Sequence, residues 1–234
     1  GRRVEGLGGG GPVPLVSLTD HSPGQRQFAN SEKYRECYEG KDSRNGAGMA
    51  RDEEEQLQRA ARWSQPNRLS IAAMCRDRNI ALASHDDATH DHVLESYQLG
   101  IAIAEFPTTF EAAEASRRPG MNVLMGAPNI VRGGSHSGNV AASTLASLGL
   151  LDILSSDYYP ASLLDAAFRV ADDEGNRFTL PQAIRLVTKN PASALNLQDR
   201  GEIAEGKRAD LVLAHRKGEH VHIDHVWRQG KRVF

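Results

Sequence analysis

Five short apolar, partly β-branched runs constrain this chain more than any other feature: PLVSLT (14–19), IALAS (80–84), IAIAEF (101–106), NVLMGA (122–127) and LDILSS (151–156). Runs of this length, apolar at most of their positions, read as strands buried on both faces, the requirement of a parallel sheet. Helix signals stand between them. Asp87 is positioned to N-cap a helix carrying Val93, Leu94 and Tyr97, with Gly100 as its stop. Thr108 and Glu111 have capping-box spacing ahead of FEAAEASRR, and Asn139 precedes VAASTLASL, which Gly149 ends. Strand alternating with helix over connections of this size predicts βα units, in an open sheet or a closed barrel.

The segment between Thr19 and Ile80 breaks the rhythm. It carries RDEEEQLQRAARW and then PNRLSIAAMCRDRN, a helix opened by Pro66, and reads as a helical excursion over the active face. Beyond the fifth run, YYPASLLDAAFRVA and TLPQAIRLVTKNPASALNL are helical, the second with Leu180, Ala183, Ile184 and Val187 on one stripe. From about Asn196 the tail is Gly-punctuated, and HVHIDHV alternates, which predicts a small β segment over 196–234. The first fourteen residues, GRRVEGLGGGGPVP, have no hydrophobic period and read as a flexible or foreign leader.

Composition excludes several roles. With 25% charged residues and a net charge of −2, the chain is neither disordered nor basic enough for a nucleic-acid partner. Its apolar runs fall short of the roughly 18 to 20 residues that cross a bilayer, so a cytoplasmic protein without a membrane partner is expected. Cys37 and Cys75 alone make neither a disulfide framework nor a cysteine zinc site. A metal would be held by His and carboxylates.

Parallel α/β folds place their sites where strand carboxyl ends converge. Here those ends run into Asp20 and His21, into His85, Asp86 and Asp87, into Glu105, into GAPNIVRGGSHSGN, and into Asp157. Imidazoles and carboxylates from separate strand ends suit a borderline divalent ion such as Zn2+, with open positions for water. Each residue also has a plainer reading. His21 and His85 can satisfy loop backbone, and Asp157 can cap the next helix. His90 and His92 are expected to face solvent within their helix, and His215, His220, His222 and His225 to include wet-face residues of a strand rather than a metal cluster. NIVRGGSHSGN offers backbone donors and the Arg132 fork to an anion, with a tight turn as the alternative; Arg26 is a further anion candidate.

Taken in order, SHDDATH, IAEFPTT, GAPNIVRGGSHSGN, LLDILSSDYYPASLL, TKNPASALNL and GEIAEGKRADLVLA resemble the phosphonate-metabolism branch of the amidohydrolase superfamily from about Leu15 to Phe234. The resemblance implies an α/β fold: the C-terminal part of a distorted (β/α)8 barrel over 15–195 and part of a small β-sandwich over 196–234. It implies hydrolysis of a ribosyl triphosphate, a phosphorylated small molecule, to the 5-phosphate and pyrophosphate, with one or two divalent metals, zinc foremost. By that match Asp157 is metal ligand and proton acceptor, His85 and His21 are imidazole ligands, and Arg26, Arg132 and His136 face the triphosphate or phosphonate. Relatives carry further ligands on an early strand, His-x-His or His-x-Asp, which have no counterpart before Leu15. The chain is therefore expected to be the C-terminal part of an enzyme, with two bare parallel edges that leave homo-oligomer formation open and little activity alone. Two other readings follow from the same residues: a deaminase or amide hydrolase using the metal on a C–N bond, and an inert fragment or binding module.

Overall fold

A computed structural model describes residues 13–20, 22, 26, 46–135, 138–218 and 220–234, with backbone only over 46–53. The chain divides into two compact units, Gly1–Ala112 and Ala113–Phe234.

In the first unit, β1 (Leu15–Leu18), β2 (Ala81–His85) and β3 (Ile103–Glu105) pair in parallel, with Ser17 opposite Ala83 and His85 opposite Glu105. Leu82, Ala83, Ile103 and Ala104 are buried, as expected of strands covered on both faces. Between β1 and β2 runs α1 (Gly46–Asp77), a helix of 32 residues. Pro66 lies inside α1 and does not open it. A mid-helix proline forfeits one backbone hydrogen bond at a cost of about 3 kcal/mol; the helix formers before and after it, and the burial of Ala72 and Cys75, hold the helix through that gap.

Helix α2 (His90–Gln98) starts at Thr89, whose side chain accepts the His92 N–H; Asp87 is not its cap. Gly100, at φ 80, follows the Leu99 C-cap, where a left-handed residue closes a helix without a Cβ penalty. Helix α3 (Phe110–Arg117) is capped by Thr109, one residue after the expected Thr108: the Thr109 hydroxyl accepts from Ala112 N–H at 3.0 Å.

In the second unit β4 (Asn122–Gly126) pairs in parallel with β5 (Ile153–Ser155), with Gly126 opposite Ser155. Around them pack α4 (Ala127–Arg132), α5 (Ala142–Ser147), α6 (Ser162–Asp172), α7 (Leu180–Arg185) and α8 (Lys189–Ala194). Val123, Met125, Leu145, Leu154, Val170 and Leu186 belong to one buried cluster. Asn139 does not cap α5. The N-cap is Ala141, and Asn129 of α4 accepts the Ala142 N–H at 2.9 Å. The stripe through Leu180, Ala183, Ile184 and Val187 does not form one helix, because Thr188, at φ −131 and ψ −85, separates α7 from α8. The tail forms an antiparallel meander of β6 (Leu211–Lys217), β7 (His220–Arg228) and β8 (Lys231–Arg232). No described helix is long and apolar enough to cross a membrane.

Candidate functional site

The register of β2 and β3 sets the chemistry at the end of the first unit's strands. Because His85 faces Glu105 across the ladder, its Nδ1 lies 2.8 Å from Glu105 Oε2. Ser17 of β1 reaches across β2 and donates to the same Glu105 oxygen. The Phe106 ring stands edge-on to the imidazole at 5.5 Å. Burial works against a charge on His85, but the Glu105 hydrogen bond and the Asp86 and Glu105 carboxylates outweigh it and raise its pKa. Glu105 moves the other way: burial is overcome by bonds from His85 and Ser17, and its pKa falls.

An imidazole whose Nδ1 is held by a carboxylate presents Nε2 outward, the arrangement that orients a metal-ligating histidine. Here Nε2 lies 3.5 Å from Asp86 Oδ2. This donor chemistry fits a divalent ion, although no three His, Cys, Asp or Glu side chains converge on one position among the described residues. Asp86 and Phe106, the residues following β2 and β3, both have left-handed backbone at φ 57 and 54. Asp tolerates that region, whereas for a bulky side chain it is an outlier of the kind that collects at functional sites.

Behind this edge lies a buried charge cluster. Arg26 pairs with Asp87, the two side chains being 4% and 0% exposed, and reaches Glu95 at 3.2 Å. Arg68 of α1 approaches Glu95 at 3.4 Å, and Ser64, one turn earlier, donates to Asp20 at 2.6 Å. The long helix thus supplies two polar groups, four residues apart on one face, one to Asp20 beyond β1 and one to Glu95 of α2. Burial and the nearby Arg68 pull the Arg26 pKa down to about 10 despite its carboxylates. Asp87 is a brace: it accepts from Ser96 at 3.1 Å, and its carbonyl accepts the Thr108 N–H at 2.9 Å. His92 does not face solvent freely, as its Nδ1 accepts the Ala88 N–H at 3.3 Å and burial, with Arg26, lowers its pKa.

In the second unit the corresponding edge carries Asp157, also left-handed at φ 48. It sits over Gly126: a Cβ built on that glycine would lie 2.9 Å from Asp157 Oδ2 and 3.3 Å from its Cβ. Gly126, at φ −73 and ψ 130, does not need glycine for its backbone; the constraint is space. Gly126→Ala is therefore expected to keep the fold but push the carboxylate aside. A nearly unchanged melting temperature is expected, with the displaced Asp157 carboxylate as the only local change. Arg132, at the end of α4, donates from Nη1 to Tyr158 Oη at 3.0 Å, beside Asp157. Gly133, at φ 80, turns the chain immediately after it.

His21 and His136 lie outside the described residues, as do Cys37 and the first twelve of the fourteen leader residues. Glu105 stands among the polar strand ends in the sequence without an individual role, and Ser17 and Arg68 carry no signal of theirs. The first was detectable as the acidic residue ending the run next to that of His85.

The parallel strands alternating with helices are an α/β arrangement that solved structures share. An adenosine deaminase from Xanthomonas campestris with bound Zn aligns with 71% of this chain and 48% of its own at a TM-score of 0.51 and 18% identity. A 5-methylcytosine deaminase from Klebsiella pneumoniae aligns with 73% and 52%, at 0.51 and 16%. At such identities the likeness is one of fold. The chain belongs to the amidohydrolase family, whose model matches residues 15–234. It is 83% identical over 223 residues to the alpha-D-ribose 1-methylphosphonate 5-triphosphate diphosphatase of Escherichia coli K12. That alignment takes in 95% of this chain, which spans 59% of that relative's length.

Proposed function

We propose that this protein, at full length, hydrolyses alpha-D-ribose 1-methylphosphonate 5-triphosphate to the 5-phosphate and pyrophosphate in phosphonate breakdown. The observation that carries this reading is the 83% identity to a diphosphatase of that substrate. His21, His85 and Asp157 are proposed to ligate a divalent cation, zinc foremost. A cation held by these residues would supply Lewis acidity to phosphoryl transfer. Asp157 takes the proton from the attacking water, and Glu105 holds the His85 tautomer through the 2.8 Å bond to Nδ1. Arg132 and His136 are proposed to bind the triphosphate or phosphonate. Arg26 is proposed as a supporting anion contact, its charge mostly engaged by Asp87 and Glu95.

The test is product analysis with full-length protein. Pyrophosphate release from the ribosyl triphosphate, abolished by a chelator and restored by Zn2+, is expected. Ammonia release from aminated nucleobases without pyrophosphate would replace this reading with the deaminase one, and no turnover of either would favour a binding module. Arg132→Ala is expected to raise KM for the triphosphate about tenfold or more, the worth of one charge-assisted contact to phosphate, while metal content stays at the wild-type level. Unchanged saturation would return the loop to a plain turn.

A further inference from the structure

The C-terminal meander carries a second cluster of imidazoles that the proposed reaction does not use. His215 and His222 are register partners on β6 and β7, and their rings stack with centroids 5.6 Å apart and planes 19° from parallel. His215 Nδ1 lies 2.8 Å from Asp224 Oδ2, and these side chains are 54% and 39% exposed. The ladder pairs Leu213 with His225 and Ala214 with Ile223, so Asp224 is the extra residue of a β-bulge. Bulges bend a strand and re-aim the side chain they carry, and this one accompanies a carboxylate placed on the Nδ1 side of His215. His220, two residues before His222, is oriented elsewhere, with Nδ1 3.7 Å from Asp165.

The geometry points to an exposed two-imidazole site on this hairpin for a borderline divalent cation such as Zn2+, with His215 and His222 as ligands and Asp224 as the residue positioning His215. Neutral imidazole is the commonest protein ligand of such ions, and a hydrogen bond at one ring nitrogen decides which nitrogen is left to bind. A carboxylate at Nδ1 of His215 leaves Nε2. Bridging two imidazoles at about 2.0–2.1 Å requires both rings to turn toward a common point, and on an exposed strand face that turn displaces solvent rather than packed side chains. Water would complete the coordination. Hard ions such as Mg2+, which prefer oxygen ligands, are poor occupants. The ion would clip β6 to β7 and would bind independently of the Asp157 and His85 edges.

The experiment is a Zn2+ titration of the full chain followed by residue-assigned imidazole nitrogen resonances, with Mg2+ as the contrasting ion. His215 and His222 are expected to shift together with one affinity for Zn2+ and to remain still with Mg2+. His222→Ala should weaken that affinity at least about tenfold, and Asp224→Asn about tenfold, the range for loss of a carboxylate behind a ligating histidine. Both replacements fall on exposed positions, and melting temperatures verify folding. Because the readout is specific to these two rings, metal binding or its absence at His85 does not enter the result. Resonances of His215 and His222 that ignore Zn2+, or an affinity unchanged in His222→Ala, would overturn the site.

Discussion

Asp157→Asn is expected to lower pyrophosphate release by at least about a hundredfold while leaving the fold intact, on the scale of a lost general base and metal ligand. The replacement isolates charge from shape. Asparagine, like aspartate, tolerates the left-handed backbone at φ 48. It also has nearly the same volume, so the close approach over Gly126 survives. What disappears is a negative oxygen able to hold a cation and accept a proton. Thermal melting should therefore move little, and bound metal should fall together with turnover. Turnover within about threefold of wild type would remove Asp157 from the chemistry. Paired with Gly126→Ala, which keeps the charge and moves it, Asp157→Asn separates where the carboxylate lies from what it carries.

The parts of this molecule that were legible in the sequence are those decided by burial. All five apolar runs became parallel strands, because a short, mostly apolar, partly β-branched segment is best accommodated where both of its faces are covered. Their polar ends were legible for the same reason: the first charged residue after a buried run marks where the strand reaches its edge, as at His85 and Asp157. The helix starts were harder, since neighbouring residues had similar capping chemistry. Asp87 and Thr89 are both good caps, as are Thr108 and Thr109, and tertiary contacts broke the tie. Arg26 and Ser96 captured the Asp87 side chain, and that left the helix to Thr89. Pro66 misled because proline favours a first turn, while its tolerance inside α1 comes from packing that no local pattern reveals. At Asp86, Phe106 and Asp157 the backbone is left-handed although none of them is glycine, so the residue types gave no sign of it.

The buried Arg26–Asp87 pair gives the largest stability effect. Asp87→Ala is expected to destabilise the first unit by about 3–5 kcal/mol, the usual cost of removing one member of a buried ion pair. Several costs combine. Arg26 would keep its buried position without the carboxylate it pairs with most closely, and Glu95, at 3.2 Å, is already shared with Arg68. Burial and the neighbouring Arg68 both work against the Arg26 charge, lowering its pKa to about 10. Ser96 would also lose the oxygen it donates to at 3.1 Å. Urea denaturation followed by a probe in the first unit measures the loss, and a change below about 1 kcal/mol would show that the pair is not coupled to folding. A charge-free double replacement, Arg26→Met with Asp87→Leu, should recover much of the deficit, because apolar groups of similar volume can substitute for a buried pair when both charges leave together. Recovery of stability need not restore turnover. Asp87 lies two residues beyond His85, and its carbonyl ties the chain to Thr108, so turnover of the double variant reads the joint loss of the Asp87 side chain and of the proposed Arg26 contact once the fold is restored.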